Sequence, residues 1–137
     1  MQSTKTLCGS KIKPSEGKII LGIVGSPRKG GNTETLVDAV LAGAAECGGV
    51  SEKVILQELS IAPCRACNYC KKHGKCIQDD DMECLLELMM KSDTWVLGTP
   101  IYWWGPSAQF KAFIDRWYGV DQRTFQGKRI ILTIPMG

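Results

Sequence analysis

The sequence predicts a three-layer α/β fold built on a parallel sheet. Short apolar runs rich in β-branched residues recur at 18–24, 53–59, 94–98 and 129–134, and segments with helical apolar spacing stand between them. A chain of 137 residues buries roughly two-thirds of its unfolded surface in one core, so a single domain needs neither metals nor disulfides merely to hold together.

Residues 18–24 (KIILGIV) form a nearly continuous apolar run that ends at Gly25-Ser26-Pro27, which predicts a strand buried on both faces. Asn32 is placed to cap a helix in which Leu36, Val37, Val40, Leu41 and Ala44 recur at helical spacing before Gly48-Gly49 stop it. Residues 53–59 (KVILQEL) read as a second strand, so the helix between makes a βαβ unit with parallel strands. A cysteine-rich insertion, 60–80, comes next. One of Asp79, Asp80 and Asp81 supplies an N-cap for a helix over 82–91, whose apolar face is Met82, Leu85, Leu86 and Met89. Residues 94–98 (TWVLG) are the third strand. After the 99–106 loop, Phe110, Phe113, Ile114 and Trp117 fall at i, i+3, i+4 and i+7 of another helix. Residues 129–134 (RIILTI) are a fourth strand and, with only Pro135-Met136-Gly137 after them, a sheet edge. That ending implies either a truncated chain or a partner over the exposed part. Residues 1–17 read as a flexible polar tail and 18–137 as one domain, without repeats or linkers.

Composition removes several functions. Lys and Arg number 17 against 14 Asp and Glu, and a net charge this small, without a lysine stripe, gives little support for nucleic-acid binding. No apolar run approaches the roughly 20 residues of a membrane helix. The polar start has no apolar stretch or cleavage site of a secretory signal, which points to a cytoplasmic address.

In a parallel sheet the strand-to-helix loops gather at the carboxyl edge, where ligands bind, and the unusual residues of this chain fall in three such loops. The first, 25–35, joins glycines, hydroxyls and Arg28 to a helix start, which suits an anion. Gly31-Asn32 stand where a nucleoside-triphosphate loop needs Lys and Ser/Thr, and Gly25-Ser26-Pro27 lacks the second glycine of the dinucleotide fingerprint. A terminal monophosphate and a plain capping turn remain as readings. The third strand's loop, 99–106, holds Tyr102, Trp103 and Trp104 between two prolines. In a 2-1-3 strand order it lies beside the first loop and offers aromatic faces to a planar ring, or else covers the sheet or an interface.

The second strand's loop is the sharpest signal. Four of the seven cysteines, Cys64, Cys67, Cys70 and Cys76, are separated by gaps of two, two and five residues. That compact spacing suits an iron-sulfur cluster better than structural zinc, which usually separates two Cys-x-x-Cys knuckles by a dozen or more residues. Cys8, Cys47 and Cys84 are scattered and read as free thiols. His73 reads as a solvent-exposed loop residue, Asp115-Arg116 as a solvated helix face, and Trp95 and Trp117 as core.

In GSPRKGGNT, the cysteine motif, the DDDM after it and TPIYWWGPSAQFKAFIDR, the sequence resembles the iron-sulfur flavoproteins, a branch of the flavodoxin-like NADPH-dependent FMN reductase superfamily, over 18–137. The resemblance implies a flavodoxin-like sheet of order 2-1-3-4, one FMN, one 4Fe-4S cluster and assembly into homodimers or homotetramers. It implies that Ser26, Arg28, Gly31, Asn32 and Thr33 hold the FMN phosphate, that Pro100, Ile101, Tyr102, Trp103 and Gly105 line the flavin ring, and that Cys64, Cys67, Cys70 and Cys76 ligate the cluster. Members of that family usually continue with a glycine-rich loop, a helix, a fifth strand and a closing helix, which are absent from this sequence. Three functions follow as expectations. The first is electron transfer between a one-electron carrier of ferredoxin type and an acceptor such as quinone, oxygen or peroxide. The second is an NAD(P)H-dependent FMN or quinone reductase without a cluster, and the third a non-catalytic module stapled by zinc.

Overall fold

The computed structural model describes residues 17–136. The expected tail, Cys8 included, therefore lies, apart from Gly17, outside the described residues. The elements are β1 (Ile19–Val24), α1 (Asn32–Glu46), β2 (Val50–Ile55), α2 (Tyr69–His73), α3 (Met82–Lys91), β3 (Thr94–Gly98), β4 (Ile101–Tyr102), β5 (Gly105–Pro106), α4 (Ala108–Asp115) and β6 (Arg129–Thr133). Short 3-10 turns at Leu56–Glu58, Arg116–Gly119 and Gln122–Phe125 fill the connections.

The sheet has the order β2-β1-β3-β6 and every pair is parallel, the 2-1-3-4 order expected of the first four strands. Strand alternation sorts the core into two layers. Leu21, Ile23, Trp95 and Leu97 face α3 and α4, meeting Leu85, Met89, Phe110 and Phe113. Ile20, Val24 and Val96 face α1 through Val37 and Leu41. Trp95 is fully buried, and its indole N–H donates to Met89 O (3.0 Å) and Ser92 Oγ (2.9 Å). No helix among the described residues is long and apolar enough to cross a membrane.

Three local expectations need correction. β2 is Val50–Ile55 rather than 53–59: Val50, Ser51 and Glu52 pair with Ile19, Ile20 and Leu21, an outer strand tolerates polar residues on its open side, and Leu56–Glu58 turn off as a 3-10 helix. Gly31, not Asn32, is the N-cap of α1. As expected, the N-cap of α3 falls in the Asp-rich run, at Asp81, and it is the Asp80 side chain that accepts the Met82 N–H (3.2 Å). Cys84 is disulfide-bonded rather than a free thiol, whereas Cys47 is free and exposed.

Candidate functional site

The first and third loops are pinned to each other at the carboxyl edge of the sheet. The Gly25 N–H donates to Gly98 O at the end of β3 (2.7 Å), and the buried Ser107 hydroxyl donates to Gly25 O. Ser107 also accepts from the Phe110 N–H (3.2 Å), so one oxygen caps α4 and ties it to the first loop. A side chain at Gly25 would place its Cβ 2.7 Å from Phe110 and 2.9 Å from Gly98 O, so only glycine allows this approach.

Within the first loop, buried Ser26 accepts the Arg28 N–H (3.1 Å) in a local turn. Gly30, at φ +65°, donates its N–H to the Glu34 carboxylate (2.7 Å), which also pairs with Lys53 of β2 (2.7 Å). The Lys53 hydrogen bond, followed by that of Gly30, holds the Glu34 carboxyl below the usual carboxylate range. No side chain caps the start of α1, which leaves the N–H groups of its first turn available to an anion. Thr33 is buried there, while Arg28 and Asn32 are exposed.

The third loop is a hairpin, β4 paired antiparallel with β5, which the sequence analysis did not anticipate. Its two-residue turn is Trp103-Trp104, both in the left-handed region (φ 47° and 67°) and both 94% exposed. Such turns ordinarily take Asn-Gly, so two tryptophans hold strain at a site where aromatic surface faces solvent. Tyr102 is half exposed beside them. Thr133, at the end of β6, carries a buried hydroxyl with no partner. It lies against Gly98, where an added Cβ would meet Thr133 Oγ1 and Thr33 Cγ2, each at 2.9 Å. An uncapped helix start, an orphaned hydroxyl and an exposed aromatic turn on one edge fit a ligand with an anionic end and a flat ring.

The cysteine loop leaves β2 and reaches α3. Ala66 and Asn68 take left-handed conformations (φ 52° and 58°), and the Ala66 N–H donates to Cys64 Sγ (3.4 Å). Cys64, Cys67, Cys70 and Cys76 line one small cavity with Tyr118 and Gly119. A Cβ on Gly119 would come within 3.2 Å of Cys70 Sγ. Among the described residues no three His, Cys, Asp or Glu side chains are placed to hold one metal ion. A single zinc needs its ligand atoms within about 2.3 Å of one point, whereas a cluster takes its thiolates around a larger body. Four cysteine thiols at one cavity are the number and kind of donor that a cluster takes. His73 lies on the short α2 and stacks on Tyr69 (4.0 Å between ring centres).

Arg116 is not on a solvated face. It is 5% exposed and forms a forked pair with Asp80, NH1 to Oδ2 at 2.5 Å and NH2 to Oδ1 at 3.0 Å. It also donates to Ala62 O (2.9 Å) and lines the cysteine cavity. Burial works against its charge, but the Asp80 hydrogen bond and charge, helped by Cys76, outweigh this and raise its pKa. The signal was present in the sequence: Arg116 follows Phe113 by three positions, on the inward stripe of the helix. Ser107 and Thr133 were also missed.

The loops that carry the expected phosphate residues and the expected ring residues are thus joined at one edge through Gly25, Gly98 and Ser107, and the four cysteines line a cavity elsewhere. The hairpin precedes α4, and the cysteine cavity touches Arg116, Tyr118 and Gly119 just after it.

Sheet order, layers and loops define a flavodoxin-like α/β protein. Residues 19–135 match the NADPH-dependent FMN reductase family, and the chain belongs to that family. It is 43% identical over 97 residues to an iron-sulfur flavoprotein of Methanocaldococcus jannaschii, covering 71% of this chain and 50% of the relative. An iron-sulfur flavoprotein of Archaeoglobus fulgidus is 40% identical over 109 residues, covering 79% of this chain and 50% of its own. The chain thus spans about half the length of these relatives. Among solved structures, a flavone reductase superposes with a TM-score of 0.67 at 26% identity, over 87% of this chain and 43% of that one.

Proposed function

We propose that this chain is an FMN-dependent oxidoreductase of the electron-transfer type, with an FMN at the carboxyl edge and a 4Fe-4S cluster in the cysteine loop. The observation that carries the reading is the convergence of all four motif cysteines on one cavity in a chain whose first and third loops are joined through Gly25, Gly98 and Ser107. When bound, FMN exchanges one or two electrons and the cluster one, so the pair couples a one-electron donor to a two-electron acceptor.

The protein's own part is binding and orientation. Ser26, Arg28, Gly31, Asn32 and Thr33 hold the phosphate through first-turn N–H groups, hydroxyls and one guanidinium. Pro100, Ile101, Tyr102, Trp103 and Gly105 cover the ring and exclude water from it. Cys64, Cys67, Cys70 and Cys76 supply thiolates, with N–H groups such as that of Ala66 turned to sulfur. No acid-base side chain is assigned. A ferredoxin-type protein or NAD(P)H is the donor and a quinone, oxygen or peroxide the acceptor, in the cytoplasm. Assembly into a homodimer or homotetramer brings the cysteine cavity of one chain towards the flavin of another.

The test is the visible absorption of protein purified without oxygen, before and after dithionite. A broad shoulder beneath the flavin bands that bleaches on reduction supports the reading. Flavin bands alone, bleached rapidly by NADPH, favour the second reading, an NAD(P)H-dependent FMN or quinone reductase without a cluster, which the family description supports. A colourless protein holding zinc overturns both.

A further inference from the structure

We propose that Arg116 is the positioning residue of the cysteine loop: its guanidinium locks the two ends of the loop to each other and to the end of α4, and fixes a positive charge in the wall of the cysteine cavity. The loop closes at its neck by pairs of residues far apart in sequence. Ser60 and Asp81 exchange hydrogen bonds, Asp81 N–H to Ser60 O (3.0 Å) and Ser60 N–H to Asp81 Oδ2 (2.6 Å). One step further in, the Ala62 N–H donates to Asp80 Oδ2 (3.1 Å), and beyond it the Gln78 amide donates to Pro63 O (3.2 Å). Arg116 enters this ladder from outside. It donates to Ala62 O on one side and to both oxygens of Asp80 on the other, so one planar group holds both sides of the neck.

The pair is buried, with side-chain exposures of 3% and 8%. Buried ion pairs are poor stabilisers compared with apolar packing of similar volume, so general stability does not account for a guanidinium at this place. Its surroundings do: it stands in the wall of the cavity that the four cysteines line. The other ties between the loop and this segment, Lys71 to Tyr118 O and the Tyr118 hydroxyl to Asn68, are exposed. Lysine, with a single point of charge, cannot replace the fork, but it keeps the charge, and that separates the two parts of the role.

The structural part stands on the neck alone, and the redox part rests on the cluster reading above. The experiment compares wild type, Arg116→Lys, Arg116→Gln and Asp80→Asn as full chains. Amide hydrogen exchange of the iron-free protein is followed at 60–82, with α1 as internal reference. Both Arg116 variants are expected to exchange at least tenfold faster over 60–82, with α1 unchanged. After anaerobic reconstitution with iron and sulfide, the midpoint potential of the dithionite-reduced centre is expected to fall in Arg116→Gln and to hold in Arg116→Lys. The fall is at least tenfold in the reduction equilibrium, or about 59 mV for one electron.

Exchange over 60–82 that stays within twofold of wild type, or equal potentials in Arg116→Gln and wild type, overturns the proposal. Should Arg116→Gln fail to fold, Asp80→Asn, which removes one charge and keeps an acceptor, decides by the same exchange measurement. Should wild type take up no iron and sulfide, the cluster reading fails, and the exchange arm decides the positioning role by itself.

Discussion

Ser107 shows how much one side chain holds at the carboxyl edge of the sheet. Its oxygen is fully buried, donates to Gly25 O and accepts from Phe110 N–H. Ser107→Ala leaves a buried carbonyl and a helix N–H without partners, and is expected to cost about 2 kcal/mol in urea denaturation. Gly98 acts through absence. An added Cβ would meet Val37 Cγ2 at 2.6 Å besides the Thr33 and Thr133 contacts, and two of these three neighbours belong to the candidate pocket. Gly98→Ala is therefore expected to lose about 1–3 kcal/mol by overpacking and, because Thr33 is pushed aside, to bind added FMN at least tenfold more weakly in a fluorescence titration.

The hairpin and the first loop make predictions at the scale of elements. A Trp-Trp turn in the left-handed region opposes local preference, with a strain of roughly 1 kcal/mol or more per residue. The double change Trp103→Asn with Trp104→Gly installs the residues that such a turn favours. It is expected to raise the melting temperature of the flavin-free protein while lowering its affinity for FMN. A melting temperature that falls would mean that the native turn is not strained, and an affinity that holds would mean that the tryptophans do not touch the ligand. In the first loop, Glu34 is the acid-sensitive group. Its carboxyl is held low by Lys53 and Gly30, so its contribution is complete above the unfolded value of about 4.3 and is lost as pH falls through the lower folded value. Glu34→Gln is expected to flatten that acid limb of stability, as read by denaturation midpoints across the range. An unchanged limb would place the titrating group elsewhere, with Asp93, held low by the Ile19 N–H and then Lys18, as the next candidate.

For the molecule as a whole, legibility followed burial. β1, β3 and α3 were readable because both strand faces or a clear helical stripe are apolar. β2 was misjudged at its start, since its outer positions alternate with solvent. The β4–β5 hairpin carried no Asn-Gly or Gly-Gly signal, and Arg116 looked like a surface charge because its counter-charge lies 36 residues away in the Asp-rich run. β6 was readable as a strand and shows a further property that only the assembled sheet reveals. α1 spans β1, β2 and β3, leaving the strand outermost in the sheet poorly covered. Ile130, Ile131, Leu132 and Ile134 are 49%, 40%, 60% and 45% exposed. Among the described residues nothing pairs with the outer edge of β6, and an open apolar edge is a template for another strand. Leu132→Lys places a charge on that strand without touching the β3 hydrogen bonds, and is expected to leave the urea midpoint of this chain within about 0.5 kcal/mol of wild type, whereas a larger loss would mean that Leu132 packs on the sheet.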